Sequence, residues 1–370
     1  MQILRKTNLE AYKKAKKIGP KKIIKILEDK DLRGRGGASF PTGQKWEMVL
    51  KEKAKEKYLI CNADEGEPGT FKDKFILENN PELIIEGLLI AAYTINATEA
   101  FIYLRGEYEA LENKLKRVIK KVRDKTKAKT KINIIIGQGA YICGDESAII
   151  SSIEGKRGQP YKRPPFPTEK GLYGKPTIIN NLETLSNVPL AILFDDWDKN
   201  QVLYSISGDV KKPGVYEEKL GTSLGELIEK AKPKHKPKAV YFGCFGGCMP
   251  VSNIKVNSKN ICGKECMLGA HTLIVVDETH SIVDVATNIA KFYEFESCGK
   301  CTPCREGTLR VLNILEHISL GEAKKKDIET LEELSEVIKE TSFCGLGQTS
   351  TNHVLTALKY FREEFEEKCK

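Results

Sequence analysis

Three cysteines spaced two residues apart mark the stretch with the clearest chemistry. Cys298, Cys301 and Cys304 form a C-x2-C-x2-C run, and Cys344 follows later in the chain. Each two-residue spacer lets the backbone aim the next sulfur at one centre, and a [4Fe–4S] cluster takes four thiolates. The pattern predicts a [4Fe–4S] cluster on these four residues. Zinc sites usually use two separate CxxC pairs, so zinc or unconnected core thiols are the alternatives.

Two further cysteine pairs lie between residues 244 and 266. Cys244 and Cys248 form one C-x3-C pair, and Cys262 and Cys266 form another. Each spacer is short enough to bring both thiolates to one metal, so the quartet could hold zinc or an additional iron–sulfur cluster. Reduced structural thiols are the equally weighted alternative.

A glycine-rich loop precedes the first predicted strand. Glycines let backbone N–H groups approach a phosphate without obstruction by Cβ, and basic side chains supply positive charge for it. The loop differs from the dinucleotide fingerprint G-x-G-x-x-G, so a plain turn is the alternative. The candidate phosphate-binding residues are Gly34, Arg35, Gly36, Gly37 and Lys45.

Two acidic turns follow predicted strands. The first comes directly after the apolar run Tyr58–Ala63 and carries Asn62, Asp64, Glu65 and Glu67. Ligands of open α/β sheets bind at the carboxyl ends of strands, so these residues are candidates for ribose or flavin contacts, with a solvated turn as the alternative.

The second turn carries the adjacent carboxylates Asp145 and Glu146, at another junction between a strand and a helix. Proline-rich and amide-rich loops follow at Arg163–Phe166 and Gly171–Thr184. Loops of this composition around a sheet end favour a shaped pocket.

Strands and helices alternate through the first half of the chain, which predicts a doubly wound α/β fold. We expect strands at Tyr58–Ala63, Glu99–Leu104 and Lys131–Gly137, with helices at Pro81–Asn96 and Tyr108–Asp124 between them.

The C-terminal part, from Val283 onwards, predicts four helices. Apolar residues recur there at helical spacing, and we expect Leu309, Leu312, Leu315 and Ile318 to face a bundle core. The cysteine run and Cys344 then fall in connections that a bundle can bring to one end.

Length and composition limit the class of protein. A chain of 370 residues with 40% hydrophobic content suits two or three globular domains. It lacks a long apolar run and a signal-peptide core, so we expect no direct membrane insertion and a cytoplasmic location, with attachment to the inner face of a membrane only through partners. The net charge of +9 comes from scattered lysines, so we expect no nucleic acid partner.

These motifs together resemble a known family. Stretches 33–46, 61–71, 141–155, 163–189 and 296–307 are similar, in this order, to the NADH-binding flavoprotein subunit of respiratory complex I and to its relatives in NAD-linked hydrogenases and formate dehydrogenases. The resemblance implies FMN, a site for NAD(H) stacked on it, and one [4Fe–4S] cluster on the four cysteines.

The resemblance also implies an architecture and roles for individual residues. The expected domains are N-terminal helices (1–30), a Rossmann-like FMN- and NADH-binding domain (31–200), a ubiquitin-like β-grasp domain of the SLBB type (201–277) and a four-helix bundle with the cluster (278–370). Residues expected around FMN are Gly34, Arg35, Gly36, Lys45, Asn62, Asp64, Gly144, Asn180 and Asn181, and those facing the dinucleotide are Phe40, Glu67, Glu146 and Phe166.

Three departures from the family pattern lie on the nicotinamide side. The family usually has Gly at Ser39, an aromatic residue at Met48 and Glu at Asp145. Loss of one stacking ring costs on the order of 1 kcal/mol, which weakens binding of the adenine without abolishing it. A carboxylate near the ribose 2′-hydroxyl repels the 2′-phosphate of NADPH, so the change at Asp145 bears on affinity or on the choice between NAD and NADP.

The function that follows is oxidation of NAD(P)H, or reduction of NAD(P), with electrons passing through FMN to the cluster. Glu67 and Glu146 would orient the nicotinamide and ribose at the catalytic centre rather than transfer protons. Electrons would leave to a small thioredoxin-like [2Fe–2S] subunit and a larger iron–sulfur subunit. The alternatives are a subunit of an electron-bifurcating complex and an FMN and iron–sulfur scaffold that has lost nicotinamide binding.

Overall fold

A four-stranded parallel sheet forms the centre of the N-terminal half of the chain in the computed structural model, which describes residues 1–370. The strand order is β3-β2-β1-β4, and each neighbouring pair is parallel. The strands are β1 (Tyr58–Ala63), β2 (Glu99–Leu104), β3 (Lys131–Ile136) and β4 (Thr177–Asn181). Continuous apolar runs such as Leu59–Cys61 suit strands that are covered on both faces.

Nine helices accompany this sheet. Helix α5 is buried on nearly all sides, and its Gly87 allows close packing against α9, because a Cβ there would lie 1.9 Å from the Leu185 carbonyl oxygen. The helices are α1 (Glu10–Ile18), α2 (Pro20–Asp29), α3 (Thr42–Lys51), α4 (Lys72–Asn79), α5 (Pro81–Ile95), α6 (Glu112–Thr126), α7 (Glu146–Ile153), α8 (Pro167–Lys170) and α9 (Leu182–Leu193).

The parallel α/β fold predicted from the sequence is confirmed, with local corrections. β3 ends at Ile136, and α6 begins at Glu112 after a 3-10 turn over Gly106–Leu111. The stretch we expect to be loop at Gly171–Thr184 contains β4 and the start of α9. Asn180 and Asn181 are therefore strand residues, and Asn181 pairs in register with Asn62 of β1.

A five-stranded sheet with order β6-β5-β9-β7-β8 follows. Tyr204, Ile206 and Phe242 lie in the core on one face of this sheet, and Tyr241 and Val276 lie in a second core with the C-terminal helices. The elements are β5 (Gln201–Gly208), β6 (Gly214–Lys219), α10 (Leu224–Lys230), β7 (Pro237–Tyr241), β8 (Cys248–Pro250), α11 (Ser258–Cys262) and β9 (Thr272–Asp277).

The C-terminal region is helical, as predicted. It comprises α12 (Ile282–Glu296), α13 (Thr302–Ser319), α14 (Lys325–Thr341), the short α15 (Gly345–Thr349) and α16 (Asn352–Glu367). Helix α13 begins at Thr302, so Cys304 lies in its first turn rather than in a connection as expected.

One core expectation for α13 is wrong. Leu312, Leu315 and Ile318 are buried, but Leu309 is 40% exposed. A spacing of three residues drifts around a helix with 3.6 residues per turn, so Val311 takes the core position in place of Leu309.

By their contacts, the residues form two compact units. The first contains residues 1–66 and 71–201, and the second contains residues 67–70 and 202–370. The short segment Glu67–Thr70 thus belongs with the C-terminal half. The finer division into domains at residues 30, 200 and 277 stays a prediction. None of the helices combines the length and apolar character needed to cross a bilayer.

Candidate functional site

The glycine-rich loop folds back on itself before α3. Gly34 N donates to the Phe40 carbonyl at 2.9 Å, and the backbones of Arg33 and Pro41 form an isolated antiparallel β-bridge. Gly37 has φ +108°, and Ser39 has φ +53° in the left-handed region. A residue with a Cβ is strained in that region. This accounts for the glycine that the family usually has at the position of Ser39.

Gly36 and Arg35 hold this loop against the end of β4. A Cβ at Gly36 would lie 3.1 Å from the Asn181 Cβ, so the backbone passes close to that side chain. Arg35 N donates to Thr184 Oγ1 at 2.8 Å, and its Nη2 donates to the Lys199 carbonyl at 2.6 Å. The Arg35 guanidinium, expected to face a phosphate, is thus bound by the protein backbone.

Helix α3 supplies the lysine of the site. Lys45 Nζ donates to the Ile179 carbonyl at 2.7 Å and pairs with the Glu146 carboxylate. One turn of α3 also positions Trp46, whose Nε1 donates to Asn180 Oδ1 at 2.8 Å. The Asn180 side chain therefore fixes α3 to β4, while Lys45 extends along the same edge of the sheet.

The carboxyl ends of β1 and β4 carry the amide groups of the site. Asn62 Nδ2 donates to the Gly144 carbonyl at 3.2 Å, and Asn62 Oδ1 accepts from Asp64 N at 3.0 Å. Asn181 Oδ1 accepts from Thr184 N at 3.3 Å and caps α9. No atom lies within 4 Å of a Cβ built at Gly144, so the backbone there borders open space.

A buried network of ion pairs orients the Asn181 side chain. Asn181 Nδ2 donates to Asp73 Oδ2 at 2.6 Å. Lys72 Nζ lies 2.9 Å from Asp73 Oδ1 and 2.8 Å from Glu183 Oε2, and the three charged side chains are at most 3% exposed. Neither this network nor Thr184 was predicted. The only sequence signal is the spacing of Asn181 and Thr184, which is that of a helix N-cap and the backbone amide it binds.

Glu65 is turned into the protein rather than toward a ligand. Its carboxylate accepts from Asp73 N at 2.8 Å, Lys74 N at 3.0 Å and the Tyr108 hydroxyl at 3.0 Å. Burial, with the nearby Asp73 carboxylate, raises the pKa of Glu65 to about 7. Glu65 thus anchors the start of α4, and the expected contact with ribose or flavin finds no support.

Asp145 and Glu146 have separate roles although they are adjacent. Asp145 is the N-cap of α7, where Oδ1 accepts from Ser147 N at 2.8 Å and from Ala148 N at 3.2 Å. Asp145 Oδ2 accepts from Arg163 Nη2 at 3.1 Å. Glu146 is instead the residue paired with Lys45.

Five large apolar side chains of the first unit are exposed, and three of them, other than Met1 and Tyr173, are at positions expected near the dinucleotide. Phe40, Phe166 and Met48 are 42%, 52% and 41% exposed. Exposed rings are suited to stacking on an adenine or nicotinamide ring. Their exposure is consistent with the assignment of Phe40 and Phe166 to the dinucleotide.

Glu67 lies in the second unit, in a buried position. Its Oε1 accepts from Cys244 N at 3.1 Å, and its Oε2 accepts from Thr70 Oγ1 at 3.3 Å. Gly243 has φ +64°, and a Cβ there would overlap Glu67 Oε1 at 1.8 Å. The short contact explains why position 243 takes glycine. Because Cys244 N and Thr70 bind the two carboxylate oxygens of Glu67, its expected role in orienting the nicotinamide stays a prediction that this arrangement does not support.

Four reduced cysteines converge where the cluster is predicted. Cys304 is buried, while Cys298, Cys301 and Cys344 are partly exposed. The pKa of Cys304 is raised to about 11, mainly by burial and in part by the nearby thiols of Cys301, Cys344 and Cys298, while a hydrogen bond with Ser297 opposes the rise. A cubane binds each thiolate through a different iron, so four thiols gathered in this way fit it.

In the additional quartet three thiols are also neighbours: burial raises the pKa of Cys266 to about 12, and Cys248 and Cys262 lie close enough to contribute to that rise. Cys248 and Cys266 are neighbours, with Cys266 Sγ 3.3 Å from the Cys248 carbonyl, but Cys244 lies beside Glu67 and Cys262 is exposed. No three of these sulfurs lie within 4.8 Å of one another, and the same is true of the four cluster cysteines, so this distance does not distinguish the two sets. Metal binding by the additional quartet therefore stays a prediction, with structural thiols as the alternative.

The first unit fits a flavin mononucleotide. The donor set at the carboxyl edge of the sheet combines glycine backbone, the Lys45 ammonium and the amides of Asn62 and Asn181, beside the open backbone of Gly144. Such donors suit a phosphate, a ribityl chain and a polar ring edge.

Comparisons with known proteins agree. A family model described as the Nuo51 FMN-binding domain matches residues 27–190, and one described as the NADH-ubiquinone oxidoreductase-F iron–sulfur binding region matches residues 284–368. An NADH-quinone oxidoreductase F subunit of Rhizobium meliloti is 42% identical over 371 residues, covering 94% of this chain and 88% of that protein. The NADH-quinone oxidoreductase F subunit of Aquifex aeolicus is 41% identical over 388 residues, covering 99% and 90%.

Hydrogenase subunits are also similar. The NADP-reducing hydrogenase subunit HndC of Solidesulfovibrio fructosivorans is 37% identical over 382 residues, covering 96% of this chain and 78% of that protein. The crystal structure of an NAD+-reducing [NiFe]-hydrogenase in the H2-reduced state superposes with a TM-score of 0.90 at 35% identity, covering 98% of this chain. The chain spans 65% of that hydrogenase chain. This chain therefore belongs to the family of NADH-quinone oxidoreductase F subunits, whose members are oxidoreductase components with an FMN-binding domain and a [4Fe–4S] region.

Proposed function

We propose that this chain exchanges electrons between a nicotinamide dinucleotide and partner iron–sulfur subunits. The observation that carries the proposal is the presence, in one chain, of the amide and lysine donors at the carboxyl edge of the parallel sheet and of the four converging cysteines. When bound, FMN supplies two-electron hydride chemistry with the nicotinamide and one-electron chemistry with the [4Fe–4S] cluster.

The protein positions the flavin through groups that are already fixed. Asn181 is oriented by Asp73 and by Thr184 N, so its amide is held in place before any ligand arrives. Asn62 is held by the Gly144 carbonyl. Prepositioned donors lose little conformational entropy on binding, which favours tight retention of a cofactor.

The dinucleotide is bound by side chains of the first unit, with Phe40 and Phe166 as stacking surfaces and Glu146 as the group that orients the ribose. Glu146 forms an ion pair with Lys45, the lysine that faces the flavin site, and this pair fixes the position of the Glu146 carboxylate. The names of the relatives include both NADH and NADP, so the proposal covers both nucleotides.

Cys298, Cys301, Cys304 and Cys344 would hold the cluster from which electrons leave. Phe295, three residues before Cys298, is 81% exposed, and Phe343, beside Cys344, is 42% exposed. Exposed aromatic residues next to a redox centre suit a protein interface. We assign this face to the partner iron–sulfur subunits, a small thioredoxin-like [2Fe–2S] subunit and a larger one.

The test is an anaerobic titration of the FMN-loaded protein with NADH, with flavin absorbance as the readout. Bleaching by one equivalent of NADH per flavin supports the proposal. Glu146→Gln should raise the NADH concentration needed for half bleaching, whereas Glu154→Gln, on a carboxylate at the far end of α7, should not. Retention of FMN that neither NADH nor NADPH bleaches would favour the scaffold function instead.

A further inference from the structure

Strand β3 lies at the edge of the parallel sheet, so one side of its backbone is open. In the strand order β3-β2-β1-β4 it pairs with β2 alone. Residues Ile132–Ile136 are partly exposed, whereas β2 is buried from Ala100 to Leu104. An edge strand presents unpaired N–H and C=O groups, to which an extended segment of another chain can bind.

A groove of about 590 Å³ lies between β3 and α6, and its walls are partly apolar. Ile119 of α6 and Ile132 and Ile134 of β3 are among the residues that line it. Ile132 and Ile134 are two residues apart, so their side chains lie on the same face of the strand. The groove therefore follows β3 and suits an extended peptide with apolar side chains at alternate positions.

The groove is also strongly basic. Its lining contains one carboxylate, that of Asp124, and four cations, Lys116, Lys120, Arg123 and Lys127. Residues 114–131 include ten lysines and arginines, and Asp124 is their one acidic residue. A groove lined by charges of one sign attracts and selects a ligand of the opposite sign.

Most of this charge is unpaired within the chain. Lys116 Nζ lies 2.9 Å from Glu112 Oε1. The side chains of the other three cations form no ion pair. In addition, Arg123 Nε is buried without a hydrogen-bond acceptor. An unsatisfied buried donor is costly, and a carboxylate bound in the groove can satisfy it.

The positions of the cations favour pairing with another strand. Lysines on an edge strand itself discourage pairing with another chain. In β3 the one charged residue is Lys131, at the first position, whereas the four cations of the groove lie on α6 or directly after it. The edge from Ile132 to Ile136 is therefore free of charged side chains.

We propose that the groove between β3 and α6 binds an extended acidic segment of a partner polypeptide, which joins the sheet beside β3. Backbone hydrogen bonds to β3 provide affinity, and carboxylates of the segment pair with Lys120, Arg123 and Lys127. The open strand edge favours a polypeptide over a nucleic acid or an anionic membrane, because a polypeptide has N–H and C=O groups at the spacing of a strand. The groove shares no residue with the flavin, dinucleotide or cluster sites, so this inference is independent of the proposed function.

The test measures binding of short fluorescent peptides to the full chain by fluorescence anisotropy, at low ionic strength because salt screens exposed charges. A peptide of alternating glutamate and valine should bind. A peptide of alternating glutamate and proline has the same charge but fewer N–H groups, so it should bind about tenfold or more weakly. Hydrogen exchange of the amides of residues 131–136 should slow when the glutamate and valine peptide is present.

Paired charge reversals locate the site. Lys120→Glu combined with Lys127→Glu should weaken binding of the glutamate and valine peptide about tenfold or more. The matched control is Lys125→Glu combined with Lys129→Glu, which makes the same change in net charge at two exposed cations outside the groove. The control should weaken binding less than about threefold.

Three results would overturn this inference. The first is a wild-type protein that does not bind the glutamate and valine peptide. The second is equal binding of the glutamate and valine and the glutamate and proline peptides with unchanged hydrogen exchange in β3, which would show a surface that attracts any polyanion. The third is an equal loss of binding in the two double variants, which would show that the groove is not the site.

Discussion

The Asn181 side chain donates to Asp73 Oδ2 at 2.6 Å, and Asp73 in turn binds Lys72, which also binds Glu183. An amide proposed to contact the flavin is thus oriented by charges that are themselves excluded from water. Buried charges need partners, because an unpaired charge in a nonpolar interior is costly.

Replacement of Lys72 by methionine should strongly destabilise the first unit. The substitution leaves the carboxylates of Asp73 and Glu183 buried without a cation, and loss of one partner of a buried pair costs about 3–5 kcal/mol. Both tryptophans, Trp46 and Trp197, lie in this unit, so urea unfolding followed by tryptophan fluorescence reports on it.

The matched control for Lys72 is the exposed cation two residues later. Lys74 Nζ lies 3.9 Å from Glu78, with both side chains nearly half exposed. Lys74→Met should change the free energy of unfolding by less than about 1 kcal/mol. Equal effects of the two substitutions on the free energy of unfolding would show that the buried network stabilises the unit no more than an exposed ion pair does.

Replacement of Ser39 by glycine should stabilise the glycine-rich loop. Ser39 has φ +53°, and the left-handed conformation costs a residue with a Cβ roughly 1–2 kcal/mol. Ser39→Gly should therefore lower the dissociation constant for FMN or raise the unfolding midpoint of the first unit. Ser39→Ala removes the hydroxyl but keeps the Cβ, so it should give no gain. A gain with alanine as large as with glycine would contradict the strain argument.

Stability of the first unit should fall as pH rises between about 4.5 and 7, in part because of Glu65. Burial and the Asp73 carboxylate raise the pKa of Glu65 to about 7, so the folded state holds a proton that the unfolded state has released. The contribution is complete below the unfolded pKa and is lost as pH rises through the folded one. Glu65 should change the free energy of unfolding by at most about 1.4 kcal/mol per pH unit.

The measurement for Glu65 compares the wild-type protein with Glu65→Gln by urea unfolding at several pH values. Glutamine cannot titrate, so the difference between the two proteins should diminish or reverse across this window. Lys72, Arg105 and Tyr108 also face Glu65 and remain in both proteins. Parallel pH profiles for the two proteins would show that Glu65 does not contribute to the pH dependence of stability.

Substitution of Cys344 by serine should empty the cluster site. A [4Fe–4S] cluster uses four thiolates, so iron should fall from about four per chain to well below that value. Cys262→Ser is the matched control, because Cys262 is an exposed thiol of the additional quartet. Iron loss in the Cys262→Ser protein would show that the additional quartet also binds iron.

The sequence predicts the parallel sheet well where apolar runs are long. β1 and β2 have the expected bounds, and β3 is one residue shorter than expected. β4 escapes prediction because it has five residues and ends in Asn180 and Asn181, whose polar side chains are typical of loops. The two asparagines are nevertheless correctly identified as candidate residues, since their chemistry is local.

Contacts between distant parts of the chain account for what the sequence could not predict. Nothing local indicates that Lys72 pairs with Glu183, or that Glu65 turns back onto the start of α4. Likewise Glu67 follows β1 in sequence, but its carboxylate binds Cys244 N in the second unit. The cluster cysteines were predictable because short spacers alone bring most of them together.

The most direct test of the account is electron paramagnetic resonance of the FMN- and iron-loaded protein after anaerobic addition of NADH. The account predicts the signal of a reduced [4Fe–4S] cluster in the wild-type protein and its absence in Cys344→Ser, with the flavin bleached in both. A flavin that NADH bleaches beside a cluster that stays oxidised, yet is reduced by dithionite, would contradict electron passage from nucleotide to cluster within this chain.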